Sequence, residues 1–327
     1  MAKGLSNNGA LEESQTLMAN GTKPPEKTGF GAFIYNKDKG TCLGRTARSW
    51  FKITVFYIIF YACLAAFWIT CLAVFLKTVD SELPRFYGKG TIIGANPGVG
   101  YQPWLKEDPE STLIRFNKND PESYKKYKDV MDKYFEKYEN TNNTRQCTGT
   151  QSNSDIIQDG KVKKDGDALA CRFDPKAAFE SKGCYKKNDY GFKDGKPCVI
   201  VSLNRLIGWK PESYDSGSVP KELNGRYKSG SIAFVCGGTH EVDREVEGSI
   251  EYVPDEGIDG RFFPFAVMDN YHQPIAMIKF NDLPKNRVLM IECRAYAKNI
   301  ERDSISGLGV VNFELMEVVN PAAPKAE

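Results

Sequence analysis

One uninterrupted apolar run dominates the pattern of hydrophobic and polar positions. Residues 53–76 contain no charged side chain, histidine, asparagine or glutamine. As a helix rising 1.5 Å per residue, the run would be roughly 36 Å long, enough to cross a hydrocarbon core of about 30 Å. A cleaved signal peptide has a shorter apolar core nearer the N-terminus, and the core helix of a soluble domain is seldom apolar on all sides. We therefore predict a transmembrane helix over residues 53–76 that remains as an anchor.

Basic residues are more frequent before this run than after it. Five lie in the twenty residues before residue 53, and three lie in the twenty residues after residue 76. An excess of Lys and Arg marks the cytoplasmic side of a span. The sequence therefore predicts a single-pass type II membrane protein, with its N-terminus in the cytoplasm and its C-terminal part outside.

The cysteines support the same orientation. Six of the nine follow the span, and none of these six has C-x-x-C spacing. An even set of cysteines outside the cytoplasm is typical of disulfides, whereas zinc and thioredoxin-type sites use C-x-x-C pairs. The spacing alone does not choose among the possible pairings. The six are Cys147, Cys171, Cys184, Cys198, Cys236 and Cys293.

A single N-glycosylation sequon follows the span. It is Asn142-Asn143-Thr144, within a polar stretch where a glycan would be exposed. Asn20-Gly21-Thr22 also matches, but the predicted topology places it in the cytosol, where it would stay unmodified. We predict one glycan, on Asn142.

The remaining pattern divides the chain into regions. Residues 1–29 are polar and predicted to be disordered. Residues 77–119 contain many Gly and Pro and are typical of an extended connection. The predicted organisation is a cytoplasmic tail over 1–52, the membrane helix over 53–76, an extracellular connecting segment over 77–119 and a disulfide-bonded domain over 120–327.

The extracellular domain begins with the pattern of one helix. Asp120 is a good N-cap and Pro121 suits the first helical position. Apolar and aromatic residues then recur at steps of three and four, which predicts a packing face. They are Tyr124, Tyr127, Met131, Tyr134 and Tyr138.

Beyond Cys147 the pattern changes to short strands separated by turns. One helix and several short strands with one apolar side predict an α+β domain built on an antiparallel β-sandwich. The predicted strands are Cys198–Leu203, Ser231–Cys236, Ser249–Val253, Ile275–Phe280, Val288–Ala297 and Val310–Val318.

Composition and motifs offer little for catalysis. A net charge of +2 argues against a general nucleic-acid partner. The chain has two histidines, and neither an H-E-x-x-H nor a G-x-S-x-G pattern occurs. Asp165-Gly166-Asp167 resembles the D-x-D metal motif of glycosyltransferases, but its highly charged surroundings favour a surface turn. The expectation is a protein without catalytic residues, metal or cofactor, and a type II ectoenzyme such as a glycosyltransferase is an alternative.

Several segments together resemble one family. Phe30, Phe33, Tyr35-Asn36, Leu43-Gly44-Arg45-Thr46 and Trp50 have the spacing of the cytoplasmic signature of β subunits of the Na,K-ATPase and H,K-ATPase. The resemblance extends from about Phe30 to near the end of the chain. Further matching segments are Phe56-Tyr57, Phe60-Tyr61, residues 190–198, residues 203–211 and residues 291–296.

The resemblance carries structural implications. It implies an immunoglobulin-like ectodomain in which the six cysteines pair in sequence, as Cys147–Cys171, Cys184–Cys198 and Cys236–Cys293. It also implies that the helix face bearing Tyr57 and Tyr61 contacts a catalytic α subunit. The opposite face carries small residues at four-residue spacing, which allow a second helix to approach closely. These are Ala62, Ala66, Thr70 and Ala73.

An aromatic segment in the ectodomain is expected to contact the α subunit as well. In the family it has the pattern Tyr-Tyr-Pro-Tyr-Tyr-Gly-Lys. This chain has aromatic rings at three of the four tyrosine positions, without the hydroxyls and without the Gly-Lys, and it has Ala266 at the fourth position. The expected contact residues are Phe262, Phe263 and Phe265.

The function implied is that of a non-catalytic β subunit of a cation-transporting P-type ATPase at the plasma membrane. It would serve assembly and delivery of the α subunit and would modulate its ion affinity, with Na⁺/K⁺ exchange favoured over H⁺/K⁺ exchange. Membrane lipid is a further expected partner. The alternative within the same fold is a β-like protein that works mainly in cell adhesion, through junction or adhesion partners.

Overall fold

The computed structural model describes residues 34–36, 40–80, 83–91, 93–158, 161–163, 168–223, 225–268 and 270–319. The chain divides into two compact units, one ending at Val79 and the other beginning at Asp80. The first unit holds a small β-meander and a long helix. The second holds the predicted β-rich domain.

The first unit is organised around helix α1, Ala47–Thr78. Three short strands precede it in an antiparallel meander. The indole of Trp50 donates a hydrogen bond of 2.7 Å to the carbonyl oxygen of Cys42, which ties the meander to the first turn of the helix. The meander strands are β1 Tyr35–Asn36, β2 Thr41–Cys42 and β3 Arg45–Thr46.

Helix α1 extends beyond the predicted span at both ends. It is long and apolar enough to cross a membrane, and none of its residues is buried within the protein. Lys77 lies in its last turn, where a cation complements the helix dipole. The additional residues are tolerated because they lie where the helix would leave the hydrocarbon core.

Two four-stranded sheets form the β-rich unit. The strands in chain order are β4 Val99–Gln102, β5 Leu113–Phe116, β6 Thr144–Arg145, β7 Ile157–Gln158, β8 Lys161–Val162, β9 Ala170–Cys171, β10 Cys198–Leu203, β11 Ala233–Gly238, β12 Ser249–Val253, β13 Ile275–Asn281, β14 Leu289–Tyr296 and β15 Val310–Glu317.

One of the two sheets has the strand order β12-β13-β10-β4, and the other has the order β11-β14-β15-β5. Two short two-stranded ladders, β6 with β9 and β7 with β8, lie outside the two sheets.

The sandwich departs from the antiparallel expectation at one edge. Strand β5 pairs in parallel with β15, with Ile114 opposite Leu315. Strand β4 forms the edge of the other sheet, where Val201 of β10 lies opposite Tyr101. The stretch 77–119, predicted as a connection, therefore supplies an edge strand to each sheet. Four-residue edge strands give little periodic signal, and parallel pairing requires a partner that is distant in sequence.

Helix α2, Pro121–Glu136, packs on this sandwich. The Asp120 side chain accepts a hydrogen bond from the backbone N–H of Glu122, which is the N-cap that the sequence predicts. The rings of Tyr124 and Tyr127 stack on Phe192 with centroid distances of 5.7 and 6.0 Å. The buried side chains of α2 are Tyr124, Tyr127, Met131 and Phe135, with Tyr138 buried just beyond the helix.

Other helical segments are short. The α-helical ones are α3 Pro175–Phe179 and α4 Glu241–Arg244. The 3₁₀ segments are Asn153–Asp155, Glu180–Lys182, Lys186–Asp194, Lys221–Leu223 and Gly260–Phe262.

Three disulfides link the cysteines of the β-rich unit. They are Cys147–Cys171, Cys184–Cys198 and Cys236–Cys293, the pairing implied by the family resemblance. The last joins directly opposed residues of β11 and β14. A disulfide of this kind typically stabilises a domain by about 2–4 kcal/mol, because it restricts the unfolded chain.

Candidate functional site

The aromatic face of α1 is the first candidate site. Tyr57 and Tyr61 lie one turn apart, with ring centroids 6.0 Å apart and planes inclined by 24°. Their side chains are 49 % and 59 % exposed. Neither hydroxyl has a hydrogen-bond partner among the described residues. Since hydrocarbon offers no partner either, this face leaves two polar groups that another protein helix could satisfy.

A second pair of rings continues this face around the helix. Phe56 and Phe60 stack with centroids 6.2 Å apart, and each also meets the neighbouring tyrosine edge to face. Because the phenylalanine pair has the same spacing and stacking but no hydroxyl, it forms an internal reference for the tyrosine pair.

The small-residue face of α1 has its polar group satisfied within the helix. The hydroxyl of Thr70 donates to the carbonyl oxygen of Ala66 over 2.7 Å. Serine and threonine side chains commonly bond back to the preceding turn in this way. The small side chains of this face therefore allow close packing, but the face has no unsatisfied polar group.

The aromatic segment Arg261–Val267 is the second candidate site, and the β-rich unit holds its backbone in place. Buried Asn153 donates through its side-chain amide to the carbonyl oxygen of Phe262 over 2.8 Å and accepts from the backbone N–H of Cys171 over 2.7 Å. The hydroxyl of Tyr271 also donates to the Phe262 carbonyl, over 3.1 Å. Arg261 donates to the carbonyl oxygen of Cys147 over 3.1 Å. The first disulfide and Asn153 thus fix where this segment lies.

The predicted contact residues in this segment have different environments. Phe263 is 7 % exposed and meets Trp209 edge to face at 5.5 Å, so its ring belongs to the core of the β-rich unit. Phe262 is partly buried and packs edge to face on Phe173 at 5.4 Å. Direct contact with another protein is therefore open to Phe262 and Phe265 but not to the ring of Phe263.

Phe265 is partly exposed and has two close neighbours. Its ring centroid is 4.9 Å from that of Tyr271, and the guanidinium carbon of Arg205 lies 5.7 Å from it. Val267, two residues further on, is 51 % exposed. We call Arg205, Phe265 and Val267 the Phe265 surface.

A turn joins the Phe265 surface to the start of the β-rich unit. The backbone N–H of Gly208 donates to the carbonyl oxygen of Phe265 over 2.9 Å. Gly208 has φ +73°, and a Cβ there would lie 3.6 Å from Cε2 of Tyr87. Tyr87 is among the first residues of the β-rich unit, which begins at Asp80. The Phe265 surface therefore lies beside the start of the β-rich unit.

A second cation, Lys137, lies near Arg205 of the Phe265 surface. The Lys137 ammonium lies 3.6 Å from the centroid of the Tyr134 ring. Its partial burial, and secondarily the charge of Arg205, lower the pKa of Lys137 to about 8. Burial raises the pKa of Tyr271, against the opposing effect of Arg205. Tyr271 therefore stays neutral and keeps its hydroxyl proton for Phe262.

The predicted glycosylation residue lies in an exposed turn. The backbone N–H of Asn142 is bound by the side chain of Asn140, and its carbonyl oxygen accepts from the side chain of Asn270 over 2.8 Å. The side chain of Asn142 is exposed and carries none of these hydrogen bonds. The turn thus presents the amide nitrogen that a glycan would modify.

The remaining candidates for chemistry have structural surroundings or lie outside the description. Buried His272 lies between two backbone carbonyls, with Nε2 2.8 Å from the oxygen of Asn140 and Nδ1 3.3 Å from that of Phe173. Such contacts hold loops together. Asp165-Gly166-Asp167 lies outside the described residues, as do Phe30, Phe33 and the Asn20 sequon.

Sequence reasoning did not find Asn153, Gly208 or Tyr271. Of these three residues, only Asn153 lies in a local sequence pattern that predicts a turn. Ser152 and Asp155 form a capping box around the short turn that contains Asn153. That pattern predicts a turn but not the bond to Phe262, which joins residues 109 positions apart.

Comparisons with known proteins give a consistent result over nearly the whole chain. The family described as sodium/potassium ATPase beta chain matches residues 21–313. The probable sodium/potassium-transporting ATPase subunit beta-3 of Caenorhabditis briggsae is 54 % identical over 317 residues, covering 97 % of this chain and 95 % of that protein. The sodium/potassium-transporting ATPase subunit beta-233 of Anguilla anguilla is 33 % identical, with 89 % and 96 % covered. Subunit beta-1 of Drosophila melanogaster is 30 % identical, with 85 % and 89 % covered.

Proposed function

The chain belongs to the sodium/potassium ATPase beta chain family, and from that premise we propose that it is the non-catalytic β subunit of a cation-transporting P-type ATPase. The transport reaction proposed is exchange of Na⁺ for K⁺, since the relatives compared above are named for sodium and potassium. The partner is the catalytic α subunit. The β subunit would serve its assembly, its delivery to the plasma membrane and the tuning of its ion affinity.

The single observation that carries this proposal is the stacked Tyr57–Tyr61 pair on α1. Both hydroxyls project from an exposed helix and lack a partner among the described residues. In a bilayer, helix association depends on close packing and on hydrogen bonds between helices, because lipid gives no hydrophobic drive. A membrane helix of the α subunit supplies both the packing surface and the acceptors.

The Phe265 surface is the second contact in this proposal. It carries a partly exposed ring, an exposed aliphatic side chain and a guanidinium, a combination common in protein interfaces. Gly208 and Tyr87 connect it to the first residues of the β-rich unit.

Two separated contacts suit a subunit that modulates an ion pump. A P-type ATPase alternates between conformations, and a subunit that binds them unequally shifts their populations. The helix contact would hold the complex together. The Phe265 surface, anchored by Asn153 and the first disulfide, would then bind one conformation more tightly and change the apparent ion affinity.

The proposed topology is type II, with residues 1–52 in the cytoplasm and the β-rich unit outside the cell. All six cysteines of the three disulfides lie beyond α1, as does the exposed sequon residue Asn142. Disulfides form in the secretory pathway and seldom persist in the cytosol. This distribution supports an extracellular location.

The test compares three double variants by co-purification of the α subunit from cell membranes. Tyr57→Phe with Tyr61→Phe removes only the hydroxyls, and Tyr57→Leu with Tyr61→Leu removes the rings as well. Phe56→Leu with Phe60→Leu is the matched control, since this pair has the same stacking without hydroxyls. We expect recovery of the α subunit to be highest with the control, lower when Tyr57 and Tyr61 are replaced by Phe, and lowest when they are replaced by Leu.

Membrane insertion should be the same in all three variants. Equal recovery of the α subunit with the leucine pair and with the control would refute the assigned face. Failure of the wild-type chain to recover any α subunit would refute the proposed function itself.

A further inference from the structure

The stretch that leaves the membrane helix has an unusual surface. Residues 83–91 follow α1 after four residues and contain two aromatic and two basic side chains but no acidic one. In the sequence, no Asp or Glu occurs between residue 83 and residue 106. We call residues 83–91 the juxtamembrane loop.

Phe86 is the most exposed aromatic side chain of the β-rich unit among those described. It is 72 % exposed, whereas Trp104, the next, is 38 % exposed. A ring left this open in water has no packing role within the unit. An exposed ring of this kind is typical of a site that lipid or another molecule covers.

The loop itself is well held, so the exposure of Phe86 follows from a defined backbone. Thr91 donates through its backbone N–H and its hydroxyl to the carbonyl oxygen of Gly88, at 3.2 and 2.8 Å. The neighbouring Tyr87 is 37 % exposed, and its Cε2 atom lies beside Gly208. Phe86 therefore projects further into solvent than the aromatic residue next to it.

Chain length limits the distance between this ring and the end of α1. Seven residues lie between Thr78, the last residue of α1, and Phe86, so the two Cα atoms are at most about 29 Å apart. The headgroup region alone adds several ångströms on each side of the hydrocarbon core. The short connection allows the loop to reach the membrane surface.

The charges identify the partner. The guanidinium carbon of Arg85 lies 5.7 Å from the Phe86 ring, and both Arg85 and Lys89 are exposed. Aromatic rings and Lys or Arg side chains are enriched where a protein crosses the membrane–water interface, because the ring suits the acyl boundary and the cation suits the phosphates. No acidic residue lies within the loop itself. Of the two acidic residues just before it, Asp80 and Glu82, Asp80 forms an ion pair with Lys161.

We propose that the juxtamembrane loop is a lipid-binding surface, in which Phe86 enters the headgroup–acyl boundary and Arg85 and Lys89 bind lipid phosphates. The loop would limit the tilt of the β-rich unit against the bilayer. This contact belongs to the chain itself and does not depend on the pump partner.

The test measures the depth of residue 86 directly. The full chain, with Cys42, Cys63 and Cys71 replaced by Ser, carries a spin label at Phe86→Cys and is reconstituted in nanodiscs of phosphatidylcholine and phosphatidylserine. The three disulfides are left intact. Power-saturation spectroscopy then compares collision of the label with oxygen, which concentrates in lipid, and with a water-soluble nickel chelate.

A matched control uses an apolar residue far from the loop in sequence. Ile305 is 99 % exposed in the turn before β15, so Ile305→Cys reports an aqueous site on the same protein. We expect a severalfold higher oxygen-to-nickel accessibility ratio at residue 86 than at residue 305. Equal ratios at the two positions would overturn the proposal. Exclusion of both reagents from residue 86 would overturn it too, since protein rather than lipid would then cover the ring.

A charge variant adds a second readout. Replacing Arg85 and Lys89 together by Gln removes the phosphate contacts but retains Phe86. We expect the oxygen-to-nickel ratio at residue 86 to fall toward that of residue 305. A ratio unchanged by this substitution would contradict the assigned role of the two cations.

Discussion

The side-chain amide of buried Asn153 donates a hydrogen bond of 2.8 Å to the carbonyl oxygen of Phe262. The same side chain accepts from the backbone N–H of Cys171, beside the first disulfide. One residue therefore connects a covalent crosslink to the aromatic segment proposed to meet the α subunit. Its two bonds satisfy the buried backbone N–H of Cys171 and the partly buried carbonyl of Phe262.

Asn153→Ala should destabilise the β-rich unit. The backbone N–H of Cys171 would lose its acceptor while buried, at a cost of about 2–3 kcal/mol. We expect the melting temperature of the full chain in detergent to fall by roughly 4–12 °C. The control is Asn96→Ala, because Asn96 makes the same two types of bond to the backbone of Glu301 but is less buried. Equal shifts for both variants would show that burial of Asn153 is unimportant.

Replacement by alanine should reduce the stability of the fold much more at Phe263 than at Phe265. Phe263→Ala removes a buried ring and should cost about 3–5 kcal/mol of stability. Phe265→Ala removes a surface ring whose cation–π contact contributes about 1 kcal/mol or less, so the fold should remain. Measurement of thermal unfolding together with the apparent ion affinity of the co-purified pump separates the two effects. An ion affinity unchanged by Phe265→Ala would rule out the Phe265 surface as a contact that modulates the pump.

The glycan prediction can be tested with variants of the single sequon beyond α1. Asn142→Gln and Thr144→Val should each abolish the mass shift on glycosidase treatment, because both destroy the sequon. Asn143→Gly retains it and suits the backbone, since Asn143 has φ +57°. That control should keep a shift of one glycan. Several glycans on the wild-type chain, or none, would contradict the proposed topology.

Lys137 should lose its proton at unusually low pH. Its pKa is lowered to about 8, whereas hydrogen bonding to Asp215 raises the pKa of Lys298. Competitive acylation with mass spectrometry at pH 8 should therefore label Lys137 well ahead of Lys298. Arg205→Ala should raise the pKa of Lys137 and so reduce the difference in labelling between Lys137 and Lys298. Parallel labelling of both lysines over pH 7 to 10 would contradict the assignment.

The lowered pKa of Lys137 also makes the stability of the fold depend on pH in a defined direction. The unfolded chain holds the Lys137 proton up to about pH 10.5, and the folded chain releases it near pH 8. Between these values the unfolded state binds more protons. The contribution of Lys137 to stability therefore rises as the pH increases through this window, and below pH 8 its charged form opposes folding.

Much of the architecture was predictable from local pattern. The apolar run over 53–76 predicts the membrane helix, although α1 continues from Ala47 to Thr78. Asp120 and Pro121 mark the start of α2, and the strands Cys198–Leu203 and Ser249–Val253 have the predicted bounds. These features follow from periodicity, capping and hydropathy, which act over a few neighbouring residues.

Only the tertiary structure decided the rest. It assigned β4 and β5 to opposite sheets, paired β5 in parallel with β15, and placed Phe263 in the core while leaving Phe265 at the surface. It also brought Asn153 to Phe262, Gly208 to Phe265 and Tyr87 to Gly208. Each of these contacts joins residues far apart in sequence, and their energies depend on which surfaces meet once the sheets have packed. The order of residues determines the elements, the membrane span and the family, whereas the packing of the two sheets determines which aromatic side chains remain free to bind a partner.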